Sequence, residues 1–175
     1  MNVEKALELI RTIPDYPKPG VIFKDITPLL ANGDALHAIT EALSAYASPH
    51  ACIAGIEARG FIFGSTIAAN LHRGFIPIRK SGKLPFTTHA QSYALEYGEA
   101  TIEIHSDAIR PGQEVLLIDD VLATGGTMCA AVELISACGG IVSGIATVIE
   151  IPFLEGRNRI SSLYPSIPIH SLMLS

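Results

Sequence analysis

The sequence predicts an α/β fold, a mostly parallel twisted sheet flanked by helices, in one domain across residues 1–175. Two observations predict it. From Ala51 to Ile151, apolar runs of strand length alternate with stretches of helical periodicity, and such repeats close through right-handed crossovers into a parallel sheet. Apolar residues make up 49% of the chain and charged residues 17%, so a sizeable core can be buried in a compact unit. No internal repeat, low-complexity tract or linker interrupts the pattern.

The elements follow in order. Val3, Ala6, Leu7, Ile10 and Ile13 share one face of a first helix, which the proline-rich "IPDYPKPG" stops. Asp34 opens a second helix as its N-cap, and Leu36, Ile39, Leu43 and Tyr46 carry it toward Ala47. "ACIAGIE" (51–57) reads as a buried strand, "GFIFGSTIAANL" as a helix and "GFIPIR" (74–79) as another strand. Between Arg79 and Thr101 lies a stretch rich in Gly, Pro, Ser and Thr. A connection that long in a compact domain is usually functional or mobile, although the alternation in "YALEY" also suits an exposed hairpin. "TIEIH" (101–105) alternates with period two, "EVLLID" (114–119) is a core strand, "GTMCAAVELISA" (126–137) a helix and "IVSGIATVIEI" (141–151) a strand. The closing "PSIPIHSLMLS" suits a final apolar strand or part of a hood.

Composition narrows the partners. A net charge of -5, with no run of Lys or Arg longer than two, argues against nucleic acid and anionic membranes and for a small molecule. The N-terminus lacks the basic-then-apolar pattern of a secretory signal, and no stretch reaches the roughly 18 apolar residues of a membrane span. Cys52, Cys129 and Cys138 are odd in number and sit in apolar or Ala-rich segments, as small core residues do. A cytoplasmic protein is expected. The six histidines are far apart in sequence, without the close pair that marks a zinc site.

The most specific stretch is "VLLIDDVLATGGT", Val115–Thr127. If the strand is central, Asp119 and Asp120 emerge at its carboxyl end, where open α/β sheets bind ligands, and neither carboxylate should be buried. The backbone N–H groups of "ATGGT" and the hydroxyls of Thr124 and Thr127 can then surround a phosphate at the start of the next helix. An acidic pair beside a phosphate cup fits a sugar phosphate. A tight, solvated strand-to-helix turn is the plain alternative. A P-loop is excluded because no Gly-Lys-Ser/Thr follows, and no GxGxxG supports a dinucleotide fold.

This stretch resembles the signature of the phosphoribosyltransferases, an apolar strand, two acidic residues and a Thr/Gly-rich loop. The resemblance implies the type I fold of that family. It also implies that Asp119 and Asp120 hold the ribose hydroxyls of 5-phosphoribosyl-1-pyrophosphate, and that Ala123, Thr124, Gly125, Gly126 and Thr127 grip its 5′-phosphate. "YPKPGVIFKDITPLL", "GIEARGFIFG", "IPIRKSGKLP" and "SYALEYG" are similar to the adenine phosphoribosyltransferases in order and spacing, from about Tyr16 to Gly156. The implied activity is transfer of the phosphoribosyl group to adenine, giving AMP and pyrophosphate in purine salvage. Guanine or xanthine is the alternative base. A transcriptional regulator on the same fold would need a DNA-contacting surface for which this acidic chain leaves no room.

Each further motif has a physical reading beside the implied one. Arg59, just past a strand and before a helix, offers a planar donor fork that could clamp a pyrophosphate, or is an ordinary surface arginine. The resemblance implies a non-prolyl cis peptide in its loop, at Glu57–Ala58. "RKSGK" gathers Arg79, Lys80 and Lys83 as a second cationic site or a merely solvated loop. The family implies that a basic side chain of this region reaches a neighbouring subunit's active site, hence a homodimer. Phe23 can stack on a purine, worth about 1–3 kcal/mol per base, or fill core. The family implies a base-binding hood within about 1–33, with backbone contacts from Ile22 and Lys24, the latter where arginine is common. It also implies a mobile lid loop at about 80–100 whose Glu96 handles a proton on adenine's imidazole ring while Tyr97 forms a hydrogen-bonding wall. Magnesium is expected, bound mainly through the substrate, with no metal site of the protein's own.

Overall fold

The computed structural model describes residues 1–94 and 98–175, and the chain divides into two compact units, Met1–Ala42 and Leu43–Ser175. The first unit opens with α1 (Val3–Leu7), whose N-cap Asn2 accepts the Lys5 N–H at 3.0 Å. The helix predicted to run on to Ile13 stops there. Arg11–Pro14 form β1 instead, paired antiparallel with β2 (Ile22–Asp25) in the register Ile13↔Phe23. Leu7, Ile10 and Ile13 fit a helical stripe, but the ladder satisfies the backbone of this segment from across the turn. That turn contains a cis Tyr16–Pro17 bond and Asp15, whose carboxylate accepts the Gly20 N–H at 2.7 Å. A short α2 (Thr27–Leu30) and then α3 (Gly33–Ser44) follow. The cap of α3 is Asn32, which accepts the Ala35 N–H at 3.0 Å. Asp34 lies in the first turn instead, where a carboxylate still favours the helix dipole.

The second unit contains β3 (Cys52–Ile56), α4 (Arg59–Asn70), β4 (Phe75–Lys80), β5 (Thr88–Ala94), β6 (Glu99–His105) and β7 (Glu114–Leu122). It continues through α5 (Gly126–Ala137), β8 (Ile141–Glu150), a 3₁₀ turn at Pro152–Leu154, α6 (Gly156–Leu163) and β9 (Ile169–Leu174). The strands form one seven-stranded sheet in the order β5-β6-β4-β3-β7-β8-β9. β4, β3, β7, β8 and β9 are parallel, and β6 runs antiparallel to β4 and β5. The predicted mostly parallel sheet is therefore present, and the closing segment is its edge strand.

Alternation along the strands builds the core. Ala54, Ile56, Val115 and Leu117 pack with Met128, Ala131 and Ile135 of α5. Phe63 and Ile67 of α4 are fully buried. Close approach of α4 depends on two glycines, since a Cβ on Gly55 or Gly64 would lie 2.8 or 2.7 Å from the Phe75 ring. β3 leads through α4 to β4 on one side of the strand order, and β7 leads through α5 to β8 on the other. The carboxyl ends of β3 and β7 thus diverge and leave the crevice where open α/β sheets take ligands.

Candidate active site

The acidic pair stands at that crevice, though not at the end of its strand. β3 pairs with β7 only as far as Gly55↔Ile118, while β8 continues beside it through Asp119↔Thr147 to Leu122↔Glu150. The strand predicted to end at Asp119 runs on to Leu122 because β8 supplies the ladder partners. Ala123–Gly125 then form the connection, and α5 begins at Gly126. Gly125 has φ +77°, and a Cβ there would lie 2.8 Å from the Gly156 carbonyl oxygen, so both conformation and space require glycine. Asp119, Ala123, Thr124, Gly125 and Thr127 line a cavity of about 60 Å³. Wider depressions of about 580 and 260 Å³ lie near His50, Arg110 and Arg73, at the amino ends of β3 and β7 and away from these groups.

The two carboxylates are not equivalent. Asp119 is half-buried and faces the cavity, whereas Asp120 is 4% exposed, contrary to the expectation that neither is buried. Successive strand residues point to opposite faces, which carries Asp120 to Arg59 at the start of α4. Arg59 Nε lies 2.8 Å from Asp120 Oδ2. The contact is an ion pair by distance, but among the described residues Oδ2 accepts no hydrogen bond. Asp119 Oδ1 accepts the Asp120 N–H at 2.9 Å. Burial, and next the Asp120 charge, push the Asp119 carboxyl well above the usual range. Burial also raises Asp120, with the Arg59 charge pulling the other way. Gly60 admits this arrangement, since a Cβ there would lie 2.9 Å from both Asp119 Oδ1 and the Ile118 carbonyl oxygen.

Arg59 follows a cis peptide at Glu57–Ala58, the bond singled out from the sequence. Glu57 Oε2 accepts from Arg79 Nε at 3.0 Å and from the Lys80 N–H at 3.2 Å. Burial alone would raise the Glu57 pKa; these two donors and the charges of Arg79 and Lys83 bring it below the usual value. Arg79 also donates to the Lys83 carbonyl at 3.1 Å. The expected three-residue cationic site is therefore reduced: Arg79 is engaged in shaping its own turn, and Lys80 and Lys83 are the exposed cations.

The expected loop between Arg79 and Thr101 is partly a ribbon, because β5 pairs with β6 from Thr88↔His105 to Ala94↔Glu99. Its end approaches the start of α5: Tyr93 Cδ2 is 3.4 Å and the Ala94 carbonyl 3.6 Å from where a Gly126 Cβ would stand. Glu96 and Tyr97 lie outside the described residues. In the first unit, Ile22, Phe23 and Lys24 all fall on β2. Ile22 is 62% exposed, Phe23 meets Tyr16 edge-on at 5.2 Å, and Lys24 Nζ donates to Thr12 Oγ1 at 3.2 Å.

Gly156 is the residue that sequence reasoning missed. A Cβ on it would lie 2.1 Å from the Ala123 carbonyl oxygen and 2.9 Å from the Gly125 nitrogen, so it backs the Ala123–Gly125 loop directly. Its neighbourhood depends on chain more than thirty residues away, which no local pattern signals. Among the described residues no group of three or more His, Cys, Asp or Glu is placed to hold a metal ion. None of their helices is long and apolar enough to cross a membrane.

Comparison with known proteins agrees with this geometry. The phosphoribosyl transferase domain family matches residues 27–162. A curated adenine phosphoribosyltransferase of Nocardioides sp. is 48% identical over 178 aligned positions, covering 98% of this chain and 94% of the relative. Among solved structures, the adenine phosphoribosyltransferase of Thermoanaerobacter pseudethanolicus is 43% identical with a TM-score of 0.92, covering 99% of this chain and 100% of that one. The Giardia lamblia enzyme complexed with 9-deazaadenine is 38% identical with a TM-score of 0.92, covering 100% and 98%. With a family match over most of the chain, 48% identity to a relative covered almost end to end and a TM-score of 0.92, the chain belongs to the adenine phosphoribosyltransferase family of phosphoribosyltransferases.

Proposed function

We propose that the crevice at β3 and β7 takes 5-phosphoribosyl-1-pyrophosphate, and that the residues around it divide the work of one displacement. The enzyme transfers the phosphoribosyl group to adenine. The base's N9 bonds to the anomeric carbon while the bond to pyrophosphate breaks with its electron pair, leaving AMP and pyrophosphate. Positive charge develops on the ribose in the transition state, so the protein's task is positioning and charge stabilisation. Thr124, Thr127 and the N–H groups of Ala123–Thr127 hold the 5′-phosphate at the amino end of α5. Asp119 takes the ribose hydroxyls from the cavity side. Asp120 joins it and keeps Arg59 beside the crevice, from where Arg59 meets the pyrophosphate with Lys80 and Lys83.

In the first unit, Phe23 offers a stacking face for the base, and the backbone of Ile22 and Lys24 reads its edge. Glu96 takes the proton released from the imidazole ring of the base, and Tyr97 walls the reacting centre. Asp119 and Asp120 form an all-oxygen donor set, which suits a magnesium ion carried mainly by the substrate. When bound, such an ion neutralises charge on the departing pyrophosphate. The reading includes a homodimer in which Lys80 or Lys83, both exposed, serves the neighbouring subunit. Three free, buried cysteines support a reducing, cytoplasmic setting.

The single observation that carries this reading is the cavity shared by Asp119 and the Ala123–Thr127 loop. An assay of AMP formation from adenine, the ribosyl pyrophosphate and magnesium tests it, with guanine, hypoxanthine and xanthine as competitors. Adenine is the substrate used. Preferential turnover of another purine would move the assignment to that base.

A further inference from the structure

The phosphate cup is closed from behind by a circuit of contacts that passes through a buried ion pair. The cup begins at Ala123, directly after Leu122, and Leu122 is paired with Glu150 at the end of β8. The Ile151 N–H donates to the Leu122 carbonyl at 2.9 Å, fixing the two chains side by side at this point. Glu150 is 4% exposed, an uncommon place for a carboxylate. It is satisfied by Arg157, whose Nε donates to Oε1 at 2.8 Å while Nη2 bonds Oε2, and by Ser171, whose hydroxyl donates to Oε2 at 2.7 Å. Arg157 Nη1 donates to the Ile169 carbonyl at 2.8 Å, so the guanidinium ties the start of α6 to both β8 and β9. Such a two-pronged geometry fixes orientation as well as distance.

The neighbour of Arg157 is Gly156, the residue that abuts the cup. Its backbone is so close to the Ala123 carbonyl and the Gly125 nitrogen that a Cβ would stand 2.1 and 2.9 Å from them. Glu155, just before it, adopts φ +60°, a conformation uncommon for a residue with a side chain, and its carboxylate accepts from Asn158 Nδ2. The chain thus makes a tight corner that delivers Gly156 to the back of the loop. The loop's front must present its N–H groups to a phosphate. A flexible glycine pair holds that shape only if its back is supported.

We propose that Glu150 and Arg157 are positioning residues for the phosphate cup, acting through Gly156 to hold Ala123–Gly125 in the shape that receives the 5′-phosphate. Neither touches the substrate. The inference rests on the reading of the cup as the 5′-phosphate site. It predicts a selective defect in which loosening the pair weakens sugar-phosphate binding and leaves adenine binding alone, because a displacement of about 1 Å at a positioning element can cost up to about a hundredfold.

The test compares Glu150→Gln, Arg157→Met, Arg157→Lys and Gly156→Ala with the wild type. Binding of ribose 5-phosphate is followed by calorimetry, and KM for the ribosyl pyrophosphate and for adenine by initial rates. Glu150→Gln and Arg157→Met are expected to lower ribose 5-phosphate affinity and raise KM for the ribosyl pyrophosphate by about tenfold or more. The KM for adenine should stay within about twofold, Arg157→Lys should restore part of the loss, and Gly156→Ala should exceed both. Equal losses for both substrates, or a lowered melting temperature with wild-type affinities, would make the pair merely structural and overturn the proposal. If Arg157→Met does not fold, the isosteric Glu150→Gln decides on the same criteria. Wild-type protein that binds ribose 5-phosphate but forms no AMP would contradict the functional reading and leave the positioning comparison measurable.

Discussion

Gly125 and Gly82 have almost the same φ, +77° and +78°, in loops that follow two parallel strands of one sheet. Their surroundings differ completely. A Cβ on Gly125 would lie 2.8 Å from the Gly156 carbonyl, whereas a Cβ on Gly82 would meet nothing within 4 Å. The loop at Gly82 is tied to β6 by hydrogen bonds: the Ser81 N–H donates to the Thr101 carbonyl at 3.0 Å, and Glu103 accepts the Ser81 hydroxyl at 2.6 Å and the Gly82 N–H at 3.1 Å. At Gly125 backbone is packed on backbone, whereas at Gly82 the glycine itself stands clear and the loop is held by hydrogen bonds to β6. The difference teaches where preorganisation resides: the loop proposed to take the sugar phosphate is shaped in advance by its packing, and the loop at Gly82 has open space around its glycine.

Three substitutions break or sharpen this comparison, taken from the largest expected effect. Glu96→Gln, in the segment joining β5 to β6, should lower kcat by roughly 10²–10⁴-fold with a much smaller change in KM for adenine. Single-turnover kinetics isolate the chemical step, and an unchanged step would leave that side of the molecule with shielding alone. Replacing both Asp119 and Asp120 by Asn should raise KM for the ribosyl pyrophosphate by roughly a hundredfold or more, since each lost charge-assisted bond is worth about 1.5–3 kcal/mol. Steady-state rates check it, and unchanged turnover would remove the pair from sugar binding.

The third effect is smaller and concerns stability. The folded Asp119 carboxyl is raised, mainly by burial and then by Asp120, so it holds its proton more tightly than in the unfolded chain. Stability from this group is fully present below its unfolded pKa of about 3.9 and is lost as pH rises through the folded value. Asp119→Asn removes that loss. The variant should melt above the wild type at pH 7, with the gap closing toward pH 4. A variant that melts lower at pH 7 would show that the carboxylate is comfortable where it sits.

Much of this was legible from sequence, for reasons that are local. α5 begins and ends where the "GTMCAAVELISA" pattern does, because its glycine start and apolar periodicity need no distant partner. The fully buried β3 reads from "CIAGI" for the same reason. The misses depend on distant chain. Arg11–Pro14 fit a helical stripe but pair with Ile22–Asp25. β7 outruns its apolar run because Thr147–Glu150 offer a ladder. Asp120 is buried because α4 brings Arg59 against it, and Gly156 matters only through Ala123 and Gly125. The acidic pair and the cup were found as a motif; their inequality and their support were not, since both are set by packing.

The most direct test of the central claim is a paired titration of AMP into Gly125→Ala and Gly82→Ala, with melting curves to confirm that both fold. Each variant places the same methyl group on a backbone of nearly equal positive φ, so a conformational cost of about 1–2 kcal/mol applies to each. Backbone preorganisation of the cup predicts that Gly125→Ala loses roughly a hundredfold or more in affinity while Gly82→Ala stays within about threefold. Equal affinities in the two variants would contradict it.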